Sequence, residues 1–376
     1  MIMAAQSSTV AAAVPGTSSL TALVDQLHAL AATALPRMYR QSERLFVFTE
    51  RAAGGRLLCA GRSERYSAIA LIGLETTTQS IAPFDQSERR LIAETLIDRV
   101  ATSGLGDAAL IGWAAALAGV APDAAWSRVK ALVAAESAQP TVELAWTLTA
   151  LSIAQPANSH AIRERVAERL MAAYSRRAKL FPHVVGSSAM RSHVACFADQ
   201  VYPIQALSEY ARAGGHPQAL AIAADCAARV CEWQGPAGQW WWHYDARTGT
   251  VLEEYPVYAI HQDAMAPMAL FALSRAGGPQ HELAVTRGME WLTAAPELNG
   301  GGLIDASHAT VWRKVARREP NKTSRYLHAA VSRFRNGARV PGLDRLFPPG
   351  VVDCEDRPYH WGWFLYGWAS RQRNFA

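Results

Sequence analysis

The sequence predicts an all-α fold, an (α/α)6 toroid of six helix pairs with short β-hairpin insertions. Apolar residues recur with a helical period along most of the 376-residue chain, half of which is apolar. The helical segments alternate between an amphipathic type and a type that is apolar nearly all round. Helix pairs that close on themselves would put the apolar helices inside an outer amphipathic ring. An open solenoid is the alternative, but unequal repeats with long insertions favour closure.

The elements alternate along the whole chain. The amphipathic segments are residues 20–30, 85–100, 122–135, 161–174, 217–233 and 281–292. The apolar segments are residues 66–74, 107–118, 142–153, 198–211, 263–274 and 359–369. Asp85 and Glu88 form a capping box at the start of the second amphipathic helix, and Pro36 ends the first. The order is therefore amphipathic, then apolar, six times over.

The connections predict β-hairpins and one long insertion. Residues 45–49 and 56–60 flank a Gly-Gly turn, and residues 240–244 and 251–258 flank "DARTG". Residues 299–357 form a long connection, which is typical of a lid or binding element. Residues 1–17 have no basic or strongly apolar region and are predicted to be a disordered tail, not a signal peptide. Residues 18–376 are predicted to be one domain.

Composition limits the classes of partner. The net charge is +5, with many arginines between Arg313 and Arg345, which suits an anionic small molecule or a solvated loop. Motifs for nucleic-acid recognition and apolar runs of about 18 residues are absent from the sequence, so neither nucleic acid nor a membrane span is expected. Five cysteines without C-x-x-C spacing fit reduced thiols and a cytoplasmic location. No cofactor and no metal are expected, because metal-ligand and phosphate-loop motifs are also absent.

Polar residues occupy the first turns of the predicted inner helices. If these helices are parallel, the residues converge on one mouth of the toroid, where helix N-termini favour an anion. They are Arg65, Tyr66, Asp107, Glu143, Asp199, Gln200, Tyr202, His261, Gln262, Asp263, Arg357, Tyr359 and His360. A helix-cap or dipole role competes with ligand contact for Asp107, Glu143 and Asp199. Arg357 has a similar alternative, an ion pair with the neighbouring acids.

These residues suggest acid–base chemistry on a sugar or glycoconjugate. Asp199 and Asp263 begin adjacent inner helices and are the predicted acid and base, with His261 as the alternative proton-transfer group. From the second hairpin, Trp241, His243, Tyr255 and Tyr258 are predicted to contact the substrate. Arg313 and Lys314 are predicted to bind its anionic group. Because side chains alternate along a strand, Trp241 and His243 should face the mouth if Trp240 faces the protein body.

Two motifs resemble terpenoid cyclases. Gln234, Gly238 and Trp240 resemble the Q-x3-G-x-W core of their QW motif, and residues 291–305 resemble a degenerate second copy. In that family the motif ties neighbouring helices together. "DCED" at residues 353–356, at the start of the last inner helix, is similar to the DxDD proton-donor motif, with Glu355 replacing the donor aspartate. The resemblance implies Asp356 or Glu355 as proton donor.

The layout also resembles the six-hairpin glycosidase-like superfamily of hydrolases, polysaccharide lyases and sugar epimerases. That resemblance implies carboxylates, His or Tyr at the mouth, with sugar rings stacked on tryptophan. A sugar, including an anionic one, is the preferred substrate class. A non-catalytic helical scaffold that binds a partner through its mouth is a third possibility.

Overall fold

A computed structural model describes residues 17–186, 193–320 and 322–372. The predicted tail falls outside these ranges except for Thr17, which begins the first helix. In chain order the helices are α1 (Thr17–Arg37), α2 (Glu64–Thr76), α3 (Gln86–Arg99), α4 (Leu105–Leu117), α5 (Asp123–Ala134), α6 (Thr141–Ala154), α7 (His160–Ala173), α8 (Ala198–Arg212), α9 (Gln218–Glu232), α10 (Ala266–Arg275), α11 (Glu282–Trp291), α12 (Thr323–Phe334), α13 (Leu343–Leu346) and α14 (Pro358–Gln372). A π-helical turn, His261–Met265, leads into α10.

The helices form the predicted toroid. The inner ring consists of α2, α4, α6, α8, α10 and α14, and each packs against the next. Since α14 packs against both α10 and α2, the ring is closed and the solenoid alternative is wrong. The inner helices are buried nearly all round, whereas an outer helix such as α3 buries one stripe, formed by Ile92, Ala93 and Leu96. Asp85 caps α3 by accepting a hydrogen bond from Glu88 N, as the sequence predicts.

Ring closure depends on a close backbone contact between α2 and α14. A Cβ at Gly73 would lie 2.4 Å from the carbonyl oxygen of Gly362. A Cβ at Gly362 would lie 2.4 Å from the carbonyl oxygen of Ile69. Both distances are far shorter than van der Waals contact, so only glycine allows the first and last inner helices to approach this closely.

Short strands surround the mouth of the ring. They are β1 (Tyr39–Arg40), β2 (Leu45–Phe46), β3 (Thr49–Ala53), β4 (Arg56–Ala60), β5 (Gln139–Pro140), β6 (Val184–Val185), β7 (Val194–Cys196), β8 (His243–Asp245), β9 (Thr250–Glu253), β10 (Val257–Tyr258), β11 (Ile304–Asp305), β12 (Thr310–Val311), β13 (Lys314–Arg317), β14 (Pro349–Asp353) and β15 (Glu355–Asp356). Pairing is antiparallel, in the sheets β1-β2, β10-β13-β14, β11-β12, β15-β3-β4, β5-β6 and β7-β8-β9.

Both predicted hairpins exist with different limits. The first pairs β3 with β4 around Gly54 and Gly55, while residues 45 and 46 pair back to β1. The second pairs β8 with β9. Residues 257 and 258, predicted to continue that hairpin, instead form β10 and pair with β13 of the long connection. The predicted second strand therefore ends at Glu253, and the residues after it pair with a different strand.

The connection between α11 and α14 is folded against the rest of the ring. β13 lies between β10 and β14, and β15 pairs with β3 of the first hairpin. Glu253 of β9 accepts hydrogen bonds from Arg317 and from His328 of α12, which fixes α12 to the second hairpin. The "DCED" segment therefore does not begin the last inner helix as predicted. It lies in β14 and β15, and α14 begins at Pro358.

Within the described residues, no helix combines the length and the apolar character needed to span a membrane.

We expect Gly73→Ala to destabilise the fold by about 1–3 kcal/mol, because the added methyl group would separate α2 from α14. Chemical denaturation followed by circular dichroism measures the change. Gly104→Ala is the matched control, since its Cβ would meet only Glu143 Oε2, at 3.7 Å, and its backbone is extended. Equal stability of the two variants would contradict the proposed role of the glycine contact.

Candidate functional site

A cavity of about 250 Å³ opens at the mouth of the toroid. First-turn residues of four inner helices reach it, together with the π-helical turn before α10, β10 and the long connection. Its lining residues are Arg65, Tyr66, Ile69, Val142, Trp146, Cys196, Ala198, Tyr202, Trp242, Tyr258, His261, Met265, Arg313 and Tyr359. The inner helix N-termini therefore converge as the sequence predicts.

Aromatic rings form much of the cavity wall. Tyr66 stacks between Phe48 and Tyr359, with ring centroids 5.3 and 4.6 Å away. Trp242 lies 6.3 Å from Tyr258 between ring centroids. Such flat apolar faces are suited to stacking against the C–H faces of a sugar ring, while the tyrosine hydroxyl groups can form hydrogen bonds.

A cluster of six charged residues lies beside this wall. Glu355 pairs with Arg51, Arg313 and Arg357, and Asp353 pairs with Arg51, Arg313 and Lys314. We call these residues the Glu355 cluster. Four cations against two carboxylates leave an excess of two positive charges. Arg313 reaches the cavity and lies over the Tyr258 ring at 5.4 Å.

Arg357 and Arg65 each contact an aromatic residue of the cavity wall. Arg357 Nη1 donates to Tyr66 Oη at 2.7 Å, so the stacked tyrosine is fixed by a charged donor. Arg65 pairs with Asp107 and lies over the Trp146 ring at 5.2 Å. A second cavity, of about 640 Å³, adjoins the first and shares Arg65 and Tyr66 with it. Asp107 lines this second cavity and pairs with Arg65, whereas Gly104 occupies the N-cap position of α4, so the cap prediction for Asp107 is wrong.

His261 is the imidazole at the cavity wall. It packs between Phe197 and Tyr258, with ring centroids 4.5 and 4.9 Å away. Burial lowers the pKa of His261 to about 3, with the positive charge of Arg313 acting in the same direction. The imidazole is therefore neutral near pH 7. A bound anion would oppose both effects and favour the protonated form.

Asp199 and Asp263, the predicted acid–base pair, do not line the cavity. Both side chains are fully buried. Asp199 accepts a hydrogen bond from Cys196 N at 2.7 Å and lies 3.0 Å from His183 Nδ1. Asp263 lies 2.8 Å from His360 Nε2. These partners hold both carboxylates away from the cavity wall.

Asp356 belongs to the same buried network as Asp263. It accepts hydrogen bonds from Thr310 Oγ1 at 2.6 Å and Trp361 Nε1 at 2.8 Å, and its Oδ1 lies 4.0 Å from His360 Nδ1. Burial raises its pKa, but it does not reach the cavity. Glu355 is fully buried as well and is paired with arginines. Neither acid lines the cavity, so the structure does not support the cyclase interpretation.

Several predicted contact residues have backbone partners instead. Glu143 accepts a hydrogen bond from Gly106 N at 3.2 Å. Gln200 bonds both the N–H and the carbonyl of Phe181, and Gln262 joins Trp240 N to the Tyr258 carbonyl. These first-turn side chains satisfy loop backbone that would otherwise be buried without partners.

The positions of the three consecutive tryptophans differ from the predicted ones. Trp240 is fully buried, and Trp242 rather than Trp241 lines the cavity. Trp241 packs edge-on against Tyr255, whose hydroxyl donates to Glu297 at 2.8 Å. The alternation argument fails because the regular strand β8 begins only at His243. His243 itself is buried beside Trp242.

The segment from Gln234 to Trp240 connects the end of α9 to α11 by hydrogen bonds. Gln234 Nε2 donates to the Ala284 carbonyl of α11 at 2.8 Å and to Gly238 O at 3.0 Å. Gly238 has φ +97°, and a Cβ there would lie 2.0 Å from the Arg287 carbonyl oxygen. The segment thus connects two outer helices. Trp242, which follows it, lines the cavity.

Sequence reasoning misses seven of the fourteen lining residues, namely Ile69, Val142, Trp146, Cys196, Ala198, Trp242 and Met265. The pattern predicts Trp146 only as part of a buried helix, Cys196 only as a reduced thiol, and Trp242 on the opposite face of a strand. A periodic pattern cannot distinguish a wall facing a small internal cavity from a wall facing the core, since both are apolar. The polar first turn of α6 lies one helical turn before Trp146. It is the one feature of the sequence that indicates a position of Trp146 near the mouth.

Among the described residues, one group of side chains is close enough to share a metal ion. His183, Cys196 and Asp199 each offer a ligand atom, and these atoms lie within 4.8 Å of one another. The sequence predicts none of the three as a metal ligand, because their spacing matches no metal-ligand motif.

Three solved structures that share this architecture are of enzymes named for their action on sugars. An unsaturated glucuronyl hydrolase specific for heparin superposes with a TM-score of 0.61 at 11% identity, covering 95% of this chain and 96% of that one. Cellobiose 2-epimerase from Bacillus thermoamylovorans B4167 gives 0.62 at 10% identity, covering 93% and 100%. A polysaccharide lyase gives 0.56 at 11% identity, covering 95% and 98%. At these identities the similarity establishes the six-hairpin toroid fold.

No protein-family model and no curated protein sequence matches the chain.

We expect His360→Gln to lose most stability at acidic to neutral pH. Burial lowers the pKa of His360, but the Asp263 carboxylate beside it, and then Asp356, raise it overall. A raised folded-state pKa contributes stability that is complete below about pH 6.5 and is lost as pH rises through the folded-state value. The difference in unfolding free energy between wild type and variant should therefore be larger at about pH 6 than at about pH 9.

The exposed His160→Gln is the control and should show no such trend. A wild-type-to-His360→Gln difference that is constant with pH would show that Asp263 does not hold His360 in its protonated form.

Proposed function

We propose that this protein is an enzyme that acts on an acidic sugar at the mouth of the toroid, by proton transfer through neutral polar groups. The observation that carries the proposal is the cavity wall, in which stacked aromatic rings and His261 lie beside a cluster with excess positive charge. The sugar-acting hydrolase, lyase and epimerase that share the fold support an enzyme over a non-catalytic scaffold.

The charge of the mouth supports an anionic substrate. The Glu355 cluster has two more cations than carboxylates, and the N-termini of the inner helices add partial positive charge on the same side. Arg313 is the member that reaches the cavity, and its guanidinium group can form a bidentate contact with a carboxylate. A uronic acid combines such a carboxylate with a ring that can stack on Trp242 or Tyr359.

His261 and Tyr258 are the proposed proton-transfer pair. Both line the cavity, with ring centroids 4.9 Å apart. Burial raises the pKa of Tyr258 and Arg313 lowers it, so the hydroxyl is a proton donor at neutral pH. The low pKa of free His261 makes it a weak base, but a bound carboxylate would raise that pKa toward the working range. Proton abstraction would then be coupled to binding of the acidic substrate.

The chemistry that this arrangement supports best is proton transfer at a carbon or oxygen of the sugar ring, as in lyase or epimerase reactions. Hydrolysis by two opposed carboxylates fits less well, because none of the cavity-lining residues is Asp or Glu. Asp107 lines the adjoining cavity and pairs with Arg65, so it would suit a hydrolase only if the substrate extended across Arg65.

We expect the protein to bind a uronic-acid disaccharide at least about tenfold more tightly than the matched neutral disaccharide, because charged hydrogen bonds contribute about 1.5–3 kcal/mol. Isothermal titration calorimetry measures both affinities. Arg313→Gln should remove most of the preference, whereas Arg318→Gln, an exposed residue that does not line the cavity, should leave it intact. Equal affinity for the acidic and neutral sugars would refute the proposed specificity.

We expect His261→Asn and Tyr258→Phe each to lower turnover by about 10²- to 10⁴-fold on an acidic saccharide that the wild type converts. Substrate loss and product release are followed by chromatography across a panel of uronic-acid oligosaccharides. Asp263→Asn tests the earlier acid–base assignment in the same assay. If Asp263→Asn abolished turnover in a folded protein while His261→Asn retained it, proton transfer would have to be reassigned.

A further inference from the structure

A histidine, a cysteine and an aspartate from the segments before α8 lie together next to the cavity. Asp199 lies in the first turn of α8 and Cys196 ends β7, so the two are one turn apart, and Cys196 N donates to Asp199 at 2.7 Å. His183 directly precedes β6, and its carbonyl accepts a hydrogen bond from Thr141 N at 2.9 Å. Its Nδ1 lies 3.0 Å from Asp199. Backbone contacts on both sides therefore position all three side chains.

The three ligand atoms have the spacing of a metal site. His183 Nδ1, Cys196 Sγ and an Asp199 oxygen lie within 4.8 Å of one another. A tetrahedral ion with ligand bonds of about 2.0–2.3 Å would draw such atoms to about 3.3–3.8 Å. Asp199 is fully buried, and in the described ion pairs its partner is His183, with no arginine or lysine. A buried carboxylate beside a thiol and an imidazole is a mixed O, S and N donor set.

The three side chains differ in solvent exposure, so an ion could reach the site from solvent. Asp199 is at the base, whereas the His183 side chain is 57% exposed. Cys196 also lines the central cavity. A bound ion would thus have three protein ligands, a route from solvent and one coordination position left for water or another ligand.

We propose that His183, Cys196 and Asp199 form a zinc-binding site at the edge of the cavity. A single thiolate with one imidazole and one carboxylate favours Zn²⁺ over Mg²⁺ or Ca²⁺, which prefer all-oxygen sets. On binding, the Cys196 thiol gives up its proton to solvent, and Asp199 keeps one oxygen for the Cys196 N–H while the other coordinates the ion. The site does not depend on the proposed sugar chemistry, because its test reads metal binding alone.

Titration of the chelator-treated full-length protein with Zn²⁺ against a chromophoric competitor tests the proposal. We expect one ion bound per chain, and Co²⁺ in its place should give a thiolate-to-cobalt charge-transfer band. Cys196→Ser should abolish that band, and His183→Asn should weaken Zn²⁺ binding at least about tenfold. The matched controls are Cys354→Ser and His160→Asn, which replace an exposed cysteine and an exposed histidine outside the site. Both should bind Zn²⁺ like wild type.

Asp199→Asn separates coordination from folding, since its amide oxygen can still accept the Cys196 N–H while the carboxylate charge is lost. Circular dichroism confirms that each variant is folded. Binding that survives in both Cys196→Ser and His183→Asn, or a cobalt complex of the wild type without a thiolate band, would overturn the assignment. The two proposals fail separately. If the wild-type protein binds Zn²⁺ as expected but converts no acidic saccharide, the result contradicts the proposed function and supports the zinc site.

Discussion

The structure depends on how closely its first and last inner helices approach. Gly73 and Gly362 let the backbones of α2 and α14 touch, which closes the ring and fixes the distance across its mouth. A toroid left open at this seam would separate Tyr66 on α2 from Tyr359 on α14, whose rings now stack with centroids 4.6 Å apart. The glycine contact is therefore a constraint on the site as well as on the fold.

Ion pairs link the contact between α2 and α14 to the long connection between α11 and α14. Glu355 of β15 binds Arg51 of β3, Arg313 and Arg357, so one buried carboxylate joins the first hairpin, the connection and the start of α14. A buried carboxylate is stable only when donors surround it, and three arginines more than satisfy that need. The surplus charge remains at the mouth. An arrangement that secures the connection thereby also makes the cavity attractive to anions.

The sequence predicts the fold well and the site less well, for a physical reason. The alternation of amphipathic and apolar segments determines which helices face solvent, so all six helix pairs could be assigned from periodicity. The first turns were correctly expected to converge. Which polar side chain then points at a ligand depends on which loop needs its hydrogen bonds, as Gln200 and Phe181 show. Loop geometry of this kind, like the irregular backbone that exposes Trp242, has no periodic signal.

The same competition explains why the predicted acids are not at the cavity wall. An Asp in the first turn of an inner helix can either face the mouth or turn back to bind loop backbone and neighbouring histidines. Asp199 and Asp263 do the latter, because a fully buried carboxylate is costly without such partners. Besides Arg65, Arg313 and Cys196, the titratable groups at the wall are then tyrosines and His261, which can be neutral when dehydrated. In an apolar, cation-rich mouth, these groups can hold or move a proton while the substrate itself supplies the negative charge.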